Sequence, residues 1–191
     1  MTYDVTPWAW YISRASGLVA FVLLYVSIFL GLTIRIRFLH KFFTPLYAVQ
    51  GHCWIAFQAT LFALIHGVAL IFDKFIGFTL AGVFVPFVSI YESGLVALGI
   101  VGFYLMIIIT ASSYARKYIS QKLWRMLHFT NIILYFVVIM HIYFLGTDMK
   151  NELVRNIFVY TNVLLILLML VNIFSRIKEN IARNMNNNLS S

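Results

Sequence analysis

Two apolar stretches decide how this sequence folds: HCWIAFQATLFALIH, residues 52–66, and HFTNIILYFVVIMH, residues 128–141. Each opens and closes on histidine. His52 and His66 stand in an i, i+14 relation, and His128 and His141 in an i, i+13 relation. The surrounding segments, 46–72 and 126–146, contain no Asp, Glu, Lys or Arg. Both are long enough to cross a hydrocarbon core of about 30 Å as helices. At 1.5 Å per residue the histidine intervals cover roughly 21 Å and 19–20 Å. Each helix therefore carries one histidine towards either face of a membrane. Ionisable side chains inside a bilayer are costly and mark functional positions.

The rest of the chain agrees with a membrane setting. Of 191 residues, 62% are hydrophobic and 10% charged, against about 45–50% and 25% in soluble domains. Five segments are apolar enough to span: about 10–34, 46–72, 94–113, 126–146 and 156–175. The expected fold is an all-α integral membrane bundle of five transmembrane helices, forming one domain over 1–177. A short polar tail, 178–191, reads as disordered. Residues 75–91 are a possible sixth segment, but this stretch has two glycines and Pro86. With five spans, Arg35, Arg37, Lys41, Arg116, Lys117, Lys122, Arg125, Arg176, Lys178 and Arg183 share one side, 10 of the 14 basic residues. Asp4, Asp73, Glu92, Asp148 and Glu152, five of the six acidic ones, share the other. The positive-inside rule then predicts a multi-pass cell-membrane protein with an outside N-terminus and a cytoplasmic C-terminus. A span over 75–91 would split the basic loops, so it reads as a short interfacial helix or re-entrant cap. Met1 to Thr6 have no basic n-region or small-residue cleavage site, so the first apolar segment reads as a span. The net charge of +8 follows from this topology and from anionic lipid, not nucleic acid.

A lone buried histidine is usually a hydrogen-bonded core residue. Here four of five lie in spans, in two pairs of nearly equal interval. If the two helices lie side by side, depth pairs His52 with His128 on the inner side and His66 with His141 on the outer. Zinc ligands cluster within a few ångströms, whereas these pairs lie about 20 Å apart. Haem iron accepts axial imidazole, and bundles hold cofactors between facing helices. Two stacked haem b groups fit. One tension remains in the spacing. Fourteen residues return within about 40° of the starting face, but thirteen leave His141 about 140° from His128 on an ideal helix. A distortion, a strong crossing or ligands on the helix flanks would resolve it.

Other candidates are weaker. Tyr135 lies two turns after His128, and Ala59 is midway between His52 and His66; Tyr135 could sit between the haems or simply pack. Gly51 and Gly67 adjoin ligands and could admit a porphyrin edge. Arg14 reads either as partner to an outer propionate or anionic acceptor, or as a snorkelling side chain. Arg37, Lys122 and Arg125 are candidate inner propionate partners. Asp73, Tyr91 and Asp148 lie near the outer level and could shape an acceptor site. His40, in a basic loop, reads as solvated. Cys53, beside His52, reads as a small buried apolar residue. Phosphate-loop, dinucleotide and CxxC patterns do not occur.

In these residues the chain resembles the ferric reductase-like transmembrane domain. Ferric reductases, NADPH oxidases and the haem subunit of a bacterial methionine-sulfoxide reductase system share it. The resemblance covers about residues 8–160 and is nearest to small bacterial stand-alone members. It is carried by WYISRASGLVAFVLLYVSIFLGL, HCWIAFQATLFALIHGVALIFDKFIGFTL, PFVSIY, VALGIVGFYL, SSYARKYISQKLWRMLHF and MHIYFLGTD. It implies two b-type haems, outward electron transfer, and ligand roles for His52, His66, His128 and His141. It also implies that Arg14 lies near the outer haem, and that relatives use the same interval as His128 and His141. Ferric reductases and NADPH oxidases continue into flavin and NADPH domains. This sequence ends at Ser191, soon after its last span, so no flavin or NAD(P)H is expected on this chain. The expected donor is a separate protein or a quinol. The expected acceptor is an exported protein or a small molecule. The expected function is an oxidoreductase component, a diheme cytochrome carrying electrons across the membrane. A quinol-linked cytochrome b is the nearest alternative. A cofactor-free transporter or scaffold with a histidine proton relay is the competing class, although Gln58, Thr60, Thr130 and Asn131 make no chain between the pairs.

Overall fold

The computed structural model describes residues 8–33 and 45–189. Asp4, Arg35, Arg37, His40 and Lys41 lie outside the described residues, as does the side chain of Arg183. The described chain is all α, with no strand, and five helices are long and apolar enough to cross a membrane. They are α1 (Trp8–Thr33), α2 (Pro45–Ile71), α4 (Ser93–Tyr114), the broken pair α5 (Gln121–Phe129) and α6 (Asn131–Leu145), and α7 (Glu152–Leu189); a short α3 (Leu80–Phe84) lies between α2 and α4. Within the most apolar window of any span, no more than 28% of residues are buried inside the chain. Trp54, Ile133, Leu164 and Phe174 are exposed. Apolar surface on that scale is compatible with lipid and not with water. This is a membrane-spanning bundle whose core is only the thin seam between helices.

α1 and α2 run antiparallel and make the most extensive contact in the bundle; α4 packs against α6 and then α2. The central seam is built from Leu24, Ile28, Ala59, Met106, Ile109, Leu134, Tyr135, Leu165 and Met169. Small residues let these backbones approach, as helix packing in lipid requires.

Residues 75–91 do not span. A turn follows α2, where Asp73 Oδ1 accepts from Phe75 N at 3.0 Å and Gly77 takes φ +73°. Helix α3 is five residues long, about 7.5 Å. Thr79 caps it, accepting from Gly82 N at 3.0 Å. Its Val83 packs with Phe78, Val96 and Ile100, and Leu70, Ile71 and Leu145 lie against that cluster. The segment folds back over the ends of α2, α4 and α6.

The second histidine helix is interrupted at Thr130. The Thr130 N–H reaches Leu127 O at 3.2 Å, a tightened turn, and its hydroxyl takes the same carbonyl at 2.7 Å. A new helix begins at Asn131. A hydroxyl bonded back to its own preceding turn bends a helix. The break lies between His128 and His141, where the interval demands extra rotation.

One expectation is corrected. Residues 178–189 are not disordered; they continue α7 without interruption. The α7 helix is 38 residues long, about 57 Å, and so projects well past a bilayer.

Because residues 75–91 stay on one side, thiols introduced by Lys74→Cys and Glu92→Cys in a Cys53→Ser background are expected to react with a membrane-impermeant maleimide from the same side. A thiol introduced by Lys117→Cys is expected to react from the other. Labelling of Lys74→Cys and Glu92→Cys from opposite sides would require a sixth span.

Candidate functional site

The four histidines meet in two pairs. The ring centres of His52 and His128 are 6.0 Å apart, and those of His66 and His141 are 6.5 Å apart. These are the partners that depth alone predicts. Two imidazoles binding one metal from opposite sides at about 2 Å, each ring centre roughly 1 Å beyond its nitrogen, have centres roughly 6 Å apart.

Three of the rings are held by their other nitrogen. His66 Nδ1 lies 2.8 Å from Ser13 O, and His52 Nδ1 lies 2.7 Å from Ser27 O. His141 Nδ1 lies 2.9 Å from Leu95 O. A carbonyl only accepts, so each Nδ1 carries the proton and each Nε2 keeps its lone pair. That tautomer is the one a metal takes up. The two serines answer in kind. Ser13 Oγ donates to His66 O at 3.3 Å, and Ser27 Oγ donates to His52 O at 3.4 Å. The fourth ring, His128, stacks on Trp124 at 5.0 Å.

Glycines make room for these rings. A Cβ on Gly17 would come within 2.9 Å of His66 Nδ1, and one on Gly99 within 2.6 Å of His141 Cε1. One on Gly31 would lie 3.3 Å from His52 Cε1. Gly51 and Gly67, the glycines that adjoin histidines in sequence, face Leu30 and Val83 instead. The effective pattern is a Ser-x-x-x-Gly unit that occurs twice in α1, at Ser13/Gly17 and Ser27/Gly31. The two units repeat at the same interval that separates His52 from His66 on α2. That match is present in the sequence, but reading α1 for its arginine and aromatics passes over it.

Each pair opens on a cavity. The one at His66 and His141 measures about 310 Å³ and is lined mainly by apolar side chains such as Phe21, Phe78 and Phe103. That is within the usual range of a cofactor pocket, about 300–1,000 Å³. Arg14, Asp73, Tyr91 and Asp148 line it too. Arg14 is paired with Asp148, with Nε 3.1 Å from Oδ2, and its guanidinium lies over Trp10 at 4.9 Å. The cavity at His52 and His128 is about 50 Å³, lined by Ser27, Cys53, Thr60, Met106 and Thr110 among others. Leu24 and Met106 border both cavities. Lys122 and Arg125 are exposed on α5 and line neither.

Tyr135 and Ala59 are fully buried between the two histidine levels. Tyr135 borders neither cavity. Its hydroxyl donates to Asn162 Oδ1 at 2.5 Å, and Asn162 Nδ2 donates to Phe158 O at 2.6 Å, tying α6 to α7. Among the described residues, no three His, Cys, Asp or Glu side chains are grouped to hold a metal ion. No protein-family model, curated protein or solved structure matches the chain.

Two substitutions separate packing against the rings from glycine content. Gly99→Ala drives a methyl into His141 and is expected to lower stability by about 1–3 kcal/mol. Gly94→Ala, in the same helix with nothing within 4 Å, is expected to be neutral or stabilising by up to about 1 kcal/mol. Thermal unfolding of the purified protein in detergent checks both. In the same assay Tyr135→Phe, which leaves Asn162 Oδ1 without its donor, is expected to cost about 1–3 kcal/mol.

Proposed function

We propose that this protein is a diheme b-type membrane cytochrome that carries electrons between the two faces of a cell membrane. One haem is held by His52 and His128, and the other by His66 and His141. The observation that carries this reading is the pairing itself. Two imidazole pairs stand at different depths, both at the separation one shared metal requires, with Nε2 left available on the three rings whose Nδ1 is bonded to a carbonyl.

The residues fit the group unequally. At the His66–His141 end, ring spacing, a cofactor-sized apolar cavity and the glycine cradles all agree. At the His52–His128 end, spacing, Ser27 and Gly31 agree, but side chains such as Met106 and Cys53 must shift to widen the space. When bound, haem supplies an iron that changes charge by one electron. The protein's contribution is positional. Ser13, Ser27 and Leu95 orient imidazoles through carbonyls. Gly17, Gly31 and Gly99 let those rings lie close to the neighbouring helix. Phe21, Phe78 and Phe103 exclude water, which tunes potential through the local dielectric. Arg14 presents a cation at the mouth of the larger cavity, where a propionate could compete for it with Asp148.

With the basic side cytoplasmic, electrons enter near His128, beside the exposed cations of α5, and leave near His66 and Asp148. The donor is a separate protein or a quinol, and the acceptor is an exported protein or a small molecule. This agrees with the ferric reductase-like resemblance. The seam between the two levels is Leu24, Ala59, Met106, Ile109 and Leu134. Among the described residues, polar side chains near this seam are engaged with one another, Tyr135 with Asn162 and Thr60 with Thr110 at 3.2 Å.

Purified protein is expected to show two haems per chain, with low-spin oxidised and dithionite-reduced spectra. His66→Leu or His141→Leu is expected to remove one haem and leave the other. Loss of both haems or of neither would break the pairing. A protein that stays colourless when haem is supplied would end the cytochrome reading.

A further inference from the structure

Helix α7 is longer than one membrane crossing needs. Residues 156–175, between Arg155 and Arg176, carry no charge. That run makes about 30 Å of helix, the thickness of one hydrocarbon core. Charged residues then return at Arg176, Lys178, Glu179 and Arg183, while the backbone stays helical to Leu189. About 20 Å of helix therefore continues beyond the uncharged run.

In this extension the large apolar side chains fall on one line. Phe174 comes near the end of the uncharged run, Ile177 and Ile181 follow at i+3 and i+7, and Met185 lies one turn further on. All four are exposed. Inside the run an exposed apolar side chain meets lipid and needs no other partner. Beyond the run lipid no longer accounts for it, and an exposed apolar stripe marks an interaction surface.

The stripe is the end of a heptad series. With Phe174 and Ile181 in a positions and Ile177 in d, the preceding d and a positions are Leu170, Leu167, Val163 and Tyr160. From 160 to 181 every a and d position is apolar and lies 44% to 73% exposed. The next d and a positions in the sequence are Asn184 and Asn188. Three heptads of this pattern describe a helix that packs along its length against another helix. The bundle leaves this seam open. α7 joins the bundle through a different face, about 130° round the helix. There Phe158 packs on Phe21, Asn162 takes the Tyr135 hydroxyl, and Leu165 and Met169 enter the central seam. Arg176 also stays on that side, with its guanidinium over Phe129 at 5.2 Å.

The occupant that fits is a second copy of the chain. Two copies inserted the same way carry α7 in parallel, so a two-fold axis along the membrane normal sets each a and d residue opposite its own counterpart. Charge permits this pairing. In a parallel register Lys178 at e faces Ile173 at g, and Met185 at e faces Asn180 at g, so no like charges meet. Arg176, Glu179 and Arg183 occupy c and f positions, away from the seam. The asparagine at a, Asn188, favours an identical partner in register. The exposed area of the apolar a and d residues sums to roughly 800 Å², one partner's share of a standard stable interface. The membrane surface is a poorer occupant, because a helix lying on it would have to bend where the uncharged run ends, and α7 is unbroken there. We propose that α7 is a dimerisation helix: two copies of this chain pair through a parallel coiled coil over residues 160–181 that continues beyond the membrane core. The pairing does not depend on what the histidines bind.

Cysteine crosslinking of the full chain in native membranes tests this. In a Cys53→Ser background, Ile177→Cys and Ile181→Cys are expected to oxidise to a disulfide-linked product of twice the 22.1 kDa chain mass. Glu179→Cys, at an f position, is expected to give about fivefold less or lower, because its Cα atoms lie too far apart across the pair. Light scattering of purified protein in mild detergent supplies a second reading. There Ile177→Glu combined with Ile181→Glu is expected to weaken association by about tenfold or more. Its far-UV circular dichroism is expected to stay native, because both side chains are exposed in the single chain. No crosslinked product at the two seam positions overturns the proposal and leaves the stripe to lipid. Equal crosslinking at Glu179→Cys, or a product whose mass is not twice that of the chain, overturns it as well. So does a dimer that survives the double glutamate substitution.

Discussion

The structure depends on the clasp between α1 and α2. A buried imidazole has one N–H that must find an acceptor, because no water is present to take it. α1 supplies that acceptor twice, as the carbonyls of Ser13 and Ser27, and the serine hydroxyls return bonds to the histidine carbonyls. A side chain at Gly17 would press on the His66 ring at 2.9 Å, and one at Gly31 would crowd the His52 ring at 3.3 Å. The same arrangement appears at both ends of one helix pair, at a matching interval on each helix. Slipping the helices by one residue would break both clasps together. The register of α1 on α2 and the depth of both histidines are thus fixed by one repeated contact.

The facing histidines come from a helix that could not present them if it were regular. The His128–His141 interval turns a straight helix by the wrong angle, and the chain resolves this by ending α5 and restarting at Asn131. Thr130 makes the join with its hydroxyl on Leu127 O, so the break is built from a local hydrogen bond. α4 then fixes His141 from behind, through Leu95 O and the bare Gly99. The four ligand candidates are presented by three different devices, although the two pairs end with nearly the same ring separation.

Much of this is legible in the sequence. Uncharged runs of span length give the five helices, because a bilayer leaves few other choices for such segments. Charge sidedness excludes 75–91 as a span, and Pro86 and Gly77 explain why that stretch is a short helix and turns. Depth pairs the histidines as the rings are found. What stays hidden is orientation about the helix axes. Gly51 and Gly67 are next to histidines in sequence yet point elsewhere, while Gly17, Gly31 and Gly99 lie on other helices and touch the rings. Tyr135 is recognisable as occupying the central level, but its hydroxyl turns to Asn162 on α7. The rotation at Thr130 that sets this direction leaves no mark in hydropathy. Composition ends α7 where apolar residues end, yet helical backbone continues in a polar sequence when nothing breaks it.

The two ends of the bundle differ in the polar groups that surround their histidine pairs. The His52–His128 cavity is small, and its polar wall atoms are neutral hydroxyls such as Ser27, Thr60 and Thr110, with the thiol of Cys53. The His66–His141 cavity is several times larger and carries Arg14, Asp73 and Asp148. The smaller cavity is thus bordered by neutral polar groups, while the larger carries one guanidinium and two carboxylates, with Arg14 and Asp148 paired to each other. The asymmetry of charge between the loops at the two ends of the bundle therefore continues inward to the histidine pairs.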